Sequence, residues 1–304
     1  VDGVLLLDKP SGVSSNAALQ RARRLFAAEK AGHTGTLDPL ASGLLPVCFG
    51  EATKFAQSLL DAEKRYRATV RFGASTTTGD AEGEVVAQGP VAFDAAALGA
   101  ALVRFTGRIR QVPPAHSALK HKGRPLYDYA RKGIDVPREA REVEIRRLSL
   151  VSWAPPDADV DVACSKGTYV RTLAEDLGTA LCTHAHLAAL TRTGTGGFDL
   201  ADAVGIDALE EMGPEGRAAR LLPVDCLLDA LPRLDLAADA SRALCCGRVV
   251  DADGVAPGRY RAYGASGAFV GVVGIANGRV VAERLMRTGD EATAAAPAAG
   301  DNPA

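Results

Sequence analysis

KRYRATVRFG, residues 64–73, alternates without a break. Tyr66, Ala68, Val70 and Phe72 fall on one face, and Arg65, Arg67, Thr69 and Arg71 on the other. A period of two with one apolar and one polar side is the pattern of a half-buried antiparallel strand. Further strands are expected at 3–8 (GVLLLD), 142–152 and 159–164, with a strand and turn in HLAALTRTGTGGF, 186–198. Helical spacing recurs at 16–28, where Ser14 or Ser15 is placed to cap and Leu19, Ala22, Leu25 and Phe26 share a face. It recurs at 52–60, at 94–105, and at 168–182 with Val170, Leu173, Leu177 and Leu181 inward. The expected fold is therefore α+β: a mixed, largely antiparallel sheet with flanking helices.

From Leu221–Pro223 onward the pattern changes. A short helix near 241–247 and strands at 258–263, 268–275 and 279–286, joined by GASG and ANG turns, read as a small β-rich module. The expected units are a main domain over 1–220, a C-terminal module over 221–287, and a disordered tail at 288–304, which lacks apolar anchors.

The 304 residues are 47% hydrophobic and 24% charged, an ordinary globular composition with ample length for a core. The longest weakly polar run, GAFVGVVGIA at 267–276, is far short of the roughly 20 residues of a membrane helix. VLLL near the start is too short, and too quickly followed by charge, for a signal peptide. The six cysteines include no CxxC pair and read as reduced, mostly buried thiols of a cytoplasmic protein.

Net charge is −2, but residues 104–147 hold twelve Lys/Arg against five Asp/Glu. Within this stretch 108–140 reads as a long irregular insert with Pro113–Pro114 and a short helix at 125–132. Lys120, Lys122, Arg124 and Arg131 sit there beside Tyr127 and Tyr129, a composition suited to a phosphate backbone. A solvated surface face has the same composition.

Chemistry concentrates in GHTGTLDPLASG, residues 32–43, whose one acid is Asp38. Glycines and Pro39 shape a rigid loop that presents the carboxylate to a cleft, although an Asx-type turn would bury the same residue in local hydrogen bonds. CSKGTYVRT, 164–172, places Tyr169 and Arg171 at a strand-to-helix junction, where Arg171 can pair with a carboxylate from elsewhere. Tyr66 reads either as a core tyrosine or as a platform for a planar substrate. His184 and His186 lack a third metal ligand nearby, GTGG at 194–197 reads as a turn, and no Walker A, Ser-elbow or HExxH motif occurs. The chemistry calls for one carboxylate, no metal and no cofactor.

GVLLLDKPSGVSS, AGHTGTLDPLASGLLPVCFGEATK, KRYRATVRFG, CSKGTYVRT and HLAALTRT, in this order and spacing, closely resemble the TruB family of pseudouridine synthases over about residues 3–200. The C-terminal part looks like that family's small PUA-like RNA-binding module. The resemblance implies an isomerase that converts uridine 55, in the T arm of tRNA, to pseudouridine on a flipped-out nucleotide, without cofactor. It implies tRNA as partner, no membrane, no obligate protein partner and a monomer. Asp38 then matches the catalytic aspartate, Arg171 its arginine partner and Tyr66 the tyrosine stacked on the base. His33 matches a histidine that displaces the nucleotide, Tyr169 and Leu190 the uracil pocket, and Lys9–Pro10 a motif supporting the loop. Lys120, Lys122, Arg124 and Arg131 become the grip on the T arm. Two rivals remain. A non-catalytic RNA-binding protein would not need Asp38, and an aspartyl hydrolase or phosphotransferase would need metal-binding acids nearby, which residues 30–50 lack.

Overall fold

The structure, a computed structural model, describes residues 1–117, 119–252 and 254–287; the tail expected at 288–304 lies outside the described residues. Strands β1 (Gly3–Lys9), β2 (Ser42–Phe49), β3 (Lys64–Phe72), β4 (Gly107–Gln111), β5 (Arg141–Ala154), β6 (Asp157–Cys164) and β7 (Ala185–Thr195) build one large sheet, in the order β1-β2-β7-β3-β6-β5-β4. β2 and β7 run parallel, and the other neighbours in this row are antiparallel. The architecture is thus the mixed, largely antiparallel α+β fold that the alternation at 64–73 indicates.

β3 lies inside the sheet, between β7 and β6. Ala68, Val70 and Phe72 are buried against α1 (Ser15–Leu25), α2 (Ala95–Arg104) and α3 (Val170–Ala180), which share their core. The opposite face of β3 meets the matching alternation of β6. Arg67 pairs with Asp161 and Arg71 with Asp157, both at 2.7 Å, while the Thr69 hydroxyl donates to Asp159 at 2.6 Å. Such cross-strand pairs contribute only about 0.2–1 kcal/mol each at an exposed face, but slipping by one residue would turn every arginine into the core.

Three local readings change. Residues 108–111, read as the start of the irregular insert, belong to β4, with Ile109 packed on the core and Arg108 and Arg110 exposed. The arginines mask a five-residue alternation. Helix α1 stops at Leu25 rather than 28, because Ala27 takes a left-handed φ of 46°. Of the cysteines, only Cys48 and Cys164 are buried; Cys182, Cys245 and Cys246 are exposed.

A second sheet follows, built from β8 (Arg233–Asp235), β9 (Val250–Asp251), β10 (Gly258–Tyr263), β11 (Phe269–Ala276) and β12 (Arg279–Leu285), in the order β8-β10-β11-β12-β9. Helix α4 (Ala238–Cys245) covers it through Leu244. Residues 221–228 contact both sheets: Leu221 and Leu222 pair with β1, and Val224, Leu227 and Leu228 share a cluster with Val4, Leu6 and Leu44 and with Val272 of β11. Phe55 joins the two sheets edge-on to Phe269, with ring centroids 5.5 Å apart. Among the described residues no helix is long and apolar enough to cross a membrane.

Candidate active site

The loop between His33 and β2 is held from two sides. Ser14 caps α1, which leaves Ser15 free to turn inward, where its hydroxyl contacts both the Leu37 N–H (2.7 Å) and the Leu37 carbonyl (2.8 Å). The Ser11 hydroxyl donates to the Leu40 carbonyl, and the Gly12 N–H to the Pro39 carbonyl, each at 2.8 Å. Lys9 is fully buried, and its ammonium donates to the Pro10 and Val13 carbonyls, which fixes the bracing segment itself. At the far end Gly43 has φ +98°, and a Cβ there would stand 2.4 Å from the Arg192 carbonyl oxygen; only glycine fits.

So held, Asp38 projects into a cleft, its side chain 42% exposed. Its carboxylate meets Arg171 Nη2 at 2.9 Å, and the turn's backbone bond runs from the Ala41 N–H to the Asp38 carbonyl, not to its side chain. This is not the self-contained Asx turn. Arg171 enters from the first turn of α3 and is 5% exposed. Its other donors reach the Thr78 carbonyl (3.0 Å) and the His116 carbonyl (2.7 Å), and Nε stands 3.7 Å from buried Asp80. Asp80 is fixed by the Thr78 hydroxyl and the Glu82 N–H.

Two cavities meet at Asp38 and Arg171. The first, of about 370 Å³, is also lined by Tyr66, Tyr169, Leu190, Lys64 and Arg192. The second, of about 670 Å³, holds His33, His116, Tyr127 and Arg131. The structure therefore gathers Asp38, Arg171, Tyr66, Tyr169 and Leu190 into one pocket and sets His33 in the neighbouring one. His33 Nδ1 is buried and has no hydrogen-bond partner among the described residues. Lys120, Lys122 and Arg124 are exposed on a hairpin whose tip, Lys122–Gly123, has φ +48° and +81°. Arg131 lies over the Tyr127 ring at 5.3 Å. None of these four cations is in an ion pair among the described residues.

Sequence reasoning misses several residues of the site. Gln111 is buried, and its side-chain amide makes two hydrogen bonds with the Tyr169 backbone, at 3.0 and 3.2 Å. Its position in an apparently irregular insert conceals it. Asp80 looks like one more acid in a turn. Arg192 carries a signal, a charge on the inward side of β7 opposite Tyr66.

Charge in the site is unusual. The Asp38 carboxyl is pushed above the usual carboxylate range, first by desolvation and further by Asp80, against the pull of Arg171 and Lys9. Burial pulls the Lys9 and Lys64 ammonium groups each down to about 8. His33 is shifted down by desolvation and by Arg192, which favours a neutral ring. Among the described residues no cluster of three or more His, Cys, Asp and Glu is placed to hold a metal.

Comparison with known proteins converges on one family. "TruB family pseudouridylate synthase (N terminal domain)" matches residues 23–170, and "tRNA pseudouridylate synthase B C-terminal domain" matches 171–229. The chain is 56% identical over 288 residues to the tRNA pseudouridine synthase B of Thiobacillus denitrificans, covering 95% of this chain and 97% of the relative. It is 61% identical over 237 residues to that of Chromobacterium violaceum, covering 78% of each. A chain in the crystal structure of a Cbf5-Nop10-Gar1 complex superposes with a TM-score of 0.67 at 25% identity, over 90% of this chain and 78% of that one. A chain in an H/ACA RNP bound to a substrate RNA containing 2'-deoxyuridine gives 0.68 at 22%, over 93% and 84%. With a loop-borne aspartate on an arginine beside a tyrosine-lined pocket, and with relatives this similar along nearly its whole length, the chain belongs to the TruB family of pseudouridylate synthases.

Proposed function

We propose that this enzyme converts uridine 55 in the T arm of tRNA to pseudouridine, with Asp38 as its essential carboxylate. The observation that carries the reading is the 2.9 Å contact between Asp38 and Arg171 at the rim of the cavity lined by Tyr66, Tyr169 and Leu190. The C1′–N1 bond breaks, the ring turns, and C5 bonds to C1′; no electrons or groups leave, so the reaction calls for no cofactor. A stacked nucleotide hides these atoms, and the enzyme must offset the cost of extruding it. Tyr66 supplies a ring face for stacking, and Leu190 an apolar wall. Tyr169, fixed by Gln111, closes the side of the pocket. Arg171 orients Asp38 and favours its ionised form against burial. Neutral His33, in the adjoining cavity, faces the strand next to the target and helps displace it.

The cations Lys120, Lys122, Arg124 and Arg131 grip the T arm through phosphates and shape. The second sheet acts as a PUA-like RNA-binding module, and the protein works in the cytoplasm as a monomer. Incubation with unmodified tRNA followed by pseudouridine mapping tests the assignment. Pseudouridine confined to position 55 is expected; its absence there, or its appearance only elsewhere, refutes it.

A further inference from the structure

A buried cation with no counter-ion among the described residues stands on the wall of the first cavity. Arg192 is 1% exposed and is the largest fully buried side chain among the described residues. It belongs to no ion pair among them. Its Nε donates to the Leu44 carbonyl at 2.7 Å and its Nη2 to the Gly35 carbonyl at 3.1 Å, which occupies two of five N–H groups. Arg192 stands directly across the β3–β7 pair from Tyr66, and both residues line the cavity.

The other buried cations nearby are differently placed. Lys64 also lines the cavity, but its ammonium is committed to three carbonyls, of Leu59, Leu60 and Ala62. Lys9 is bound to two carbonyls and is absent from the cavity wall. Arg192 alone of the three combines a place on the wall with donors left over. Holding a charge out of water without a counter-ion costs the fold stability. A bound group that becomes negative inside the cavity would offset this cost.

The reaction provides such a group. When C1′–N1 breaks, its electron pair leaves with the ring, and the negative charge spreads over N1, O2 and O4. It persists until C5 bonds to C1′; the C5 proton then departs and N1 gains one, which leaves an isomer. We infer that Arg192 stabilises the negative charge of the detached uracil ring, through guanidinium N–H groups on the wall it shares with Tyr66. This rests on the uridine-isomerase reading above.

The test compares wild type, Arg192→Gln and Arg192→Lys in single turnovers on tRNA carrying uridine or 5-fluorouridine at the target. Fluorine at C5 withdraws electrons, so the detached ring needs less help. Cleavage is read as disappearance of the N-linked nucleoside from nuclease digests, with tRNA affinity measured in parallel. Arg192→Gln should slow cleavage of uridine by about 100- to 1000-fold, as for removal of a donor to developing negative charge, and of 5-fluorouridine by about tenfold less. Arg192→Lys should stay within about tenfold of wild type on both, with any slowing smaller on 5-fluorouridine. If Arg192→Gln does not fold, that last comparison carries the test alone. Equal slowing on the two substrates, or a lysine variant as slow as glutamine, would show that Arg192 is only a brace between Gly35 and Leu44. Failure of wild type to modify tRNA would instead defeat the functional reading itself.

Discussion

Replacing Arg171 with methionine keeps an unbranched apolar stem and removes the charge and all the donors of the guanidinium. Asp38 and Asp80 then share a site without a cation between them. Arg171 lowers the Asp38 pKa both by its charge and by its hydrogen bond, while burial and Asp80 raise it. Removing the arginine therefore moves the carboxyl further up, and the acid limb of the rate profile moves to higher pH. A charge-assisted hydrogen bond contributes about 1.5–3 kcal/mol in general. The Asp38 side chain is 42% exposed, so water screens the pair and the lower figure applies. At about 1.4 kcal/mol per unit, the limb should shift up by roughly one pH unit. Above the limb the rate should still fall about 100-fold, because the carboxylate is no longer held in line. Single-turnover pseudouridine formation between pH 5 and 9 measures both effects, with urea titration to check folding, since the variant also leaves buried Asp80 without its cation and breaking a buried pair costs about 3–5 kcal/mol. Arg171→Lys restores the charge and should bring the limb back toward wild type. An acid limb at the wild-type pH in Arg171→Met would refute the claim that this arginine keeps Asp38 ionised.

Other expectations concern the loop, the insert and the joint between sheets. Gly43→Ala should destabilise the protein by at least about 2 kcal/mol in denaturant titration, because its backbone is left-handed and its Cβ would strike the Arg192 backbone; wild-type stability would mean that β2 and β7 can separate there. Neutralising Lys120, Lys122, Arg124 and Arg131 together should weaken tRNA binding and lower the slope of log affinity against log salt by about 0.9 for each duplex phosphate that the protein no longer neutralises. Turnover at saturating tRNA should change little if these residues only position the substrate, whereas a fall in kcat would make the insert a lid over the flipped base. Phe55→Ala should cost about 3–5 kcal/mol by urea titration, since Phe55 is 4% exposed between the two sheets; a cost below about 1 kcal/mol would mean the joint repacks freely.

The parts of this molecule that follow a short period are legible in its sequence. β3 is visible because its two faces differ so sharply, and the strands at 258–263, 268–275 and 279–286 because turn residues punctuate them. Asp38 stands out as the one acid in a glycine-shaped loop, and Arg171, at a strand-to-helix junction, as an arginine placed to pair with a carboxylate from elsewhere. What is hidden depends on long-range contact. Gln111 matters only because β4 adds to the far edge of the sheet and brings it under Tyr169. Asp80 matters because a turn folds back beneath Arg171, and no local pattern says that a turn acid will be buried. The separation of His33 from Tyr66 into adjoining cavities is set by the path of the loop between them. The raised Asp38 pKa is not legible either, since an arginine partner alone points the other way and desolvation is a property of the assembled site.

The most direct test of the central claim is Asp38→Asn. Because the folded protein holds the Asp38 proton more tightly than the unfolded chain, ionising this group costs stability as pH rises past the ordinary carboxylate range. A neutral asparagine escapes that cost, so the variant should fold at neutral pH and bind tRNA about as well as wild type. Its single-turnover rate of pseudouridine formation at position 55 should fall below about a thousandth of wild type, as expected when the reacting carboxylate is removed. A rate above that level in a folded, tRNA-binding variant would contradict the account, because the chemistry would then belong to another group.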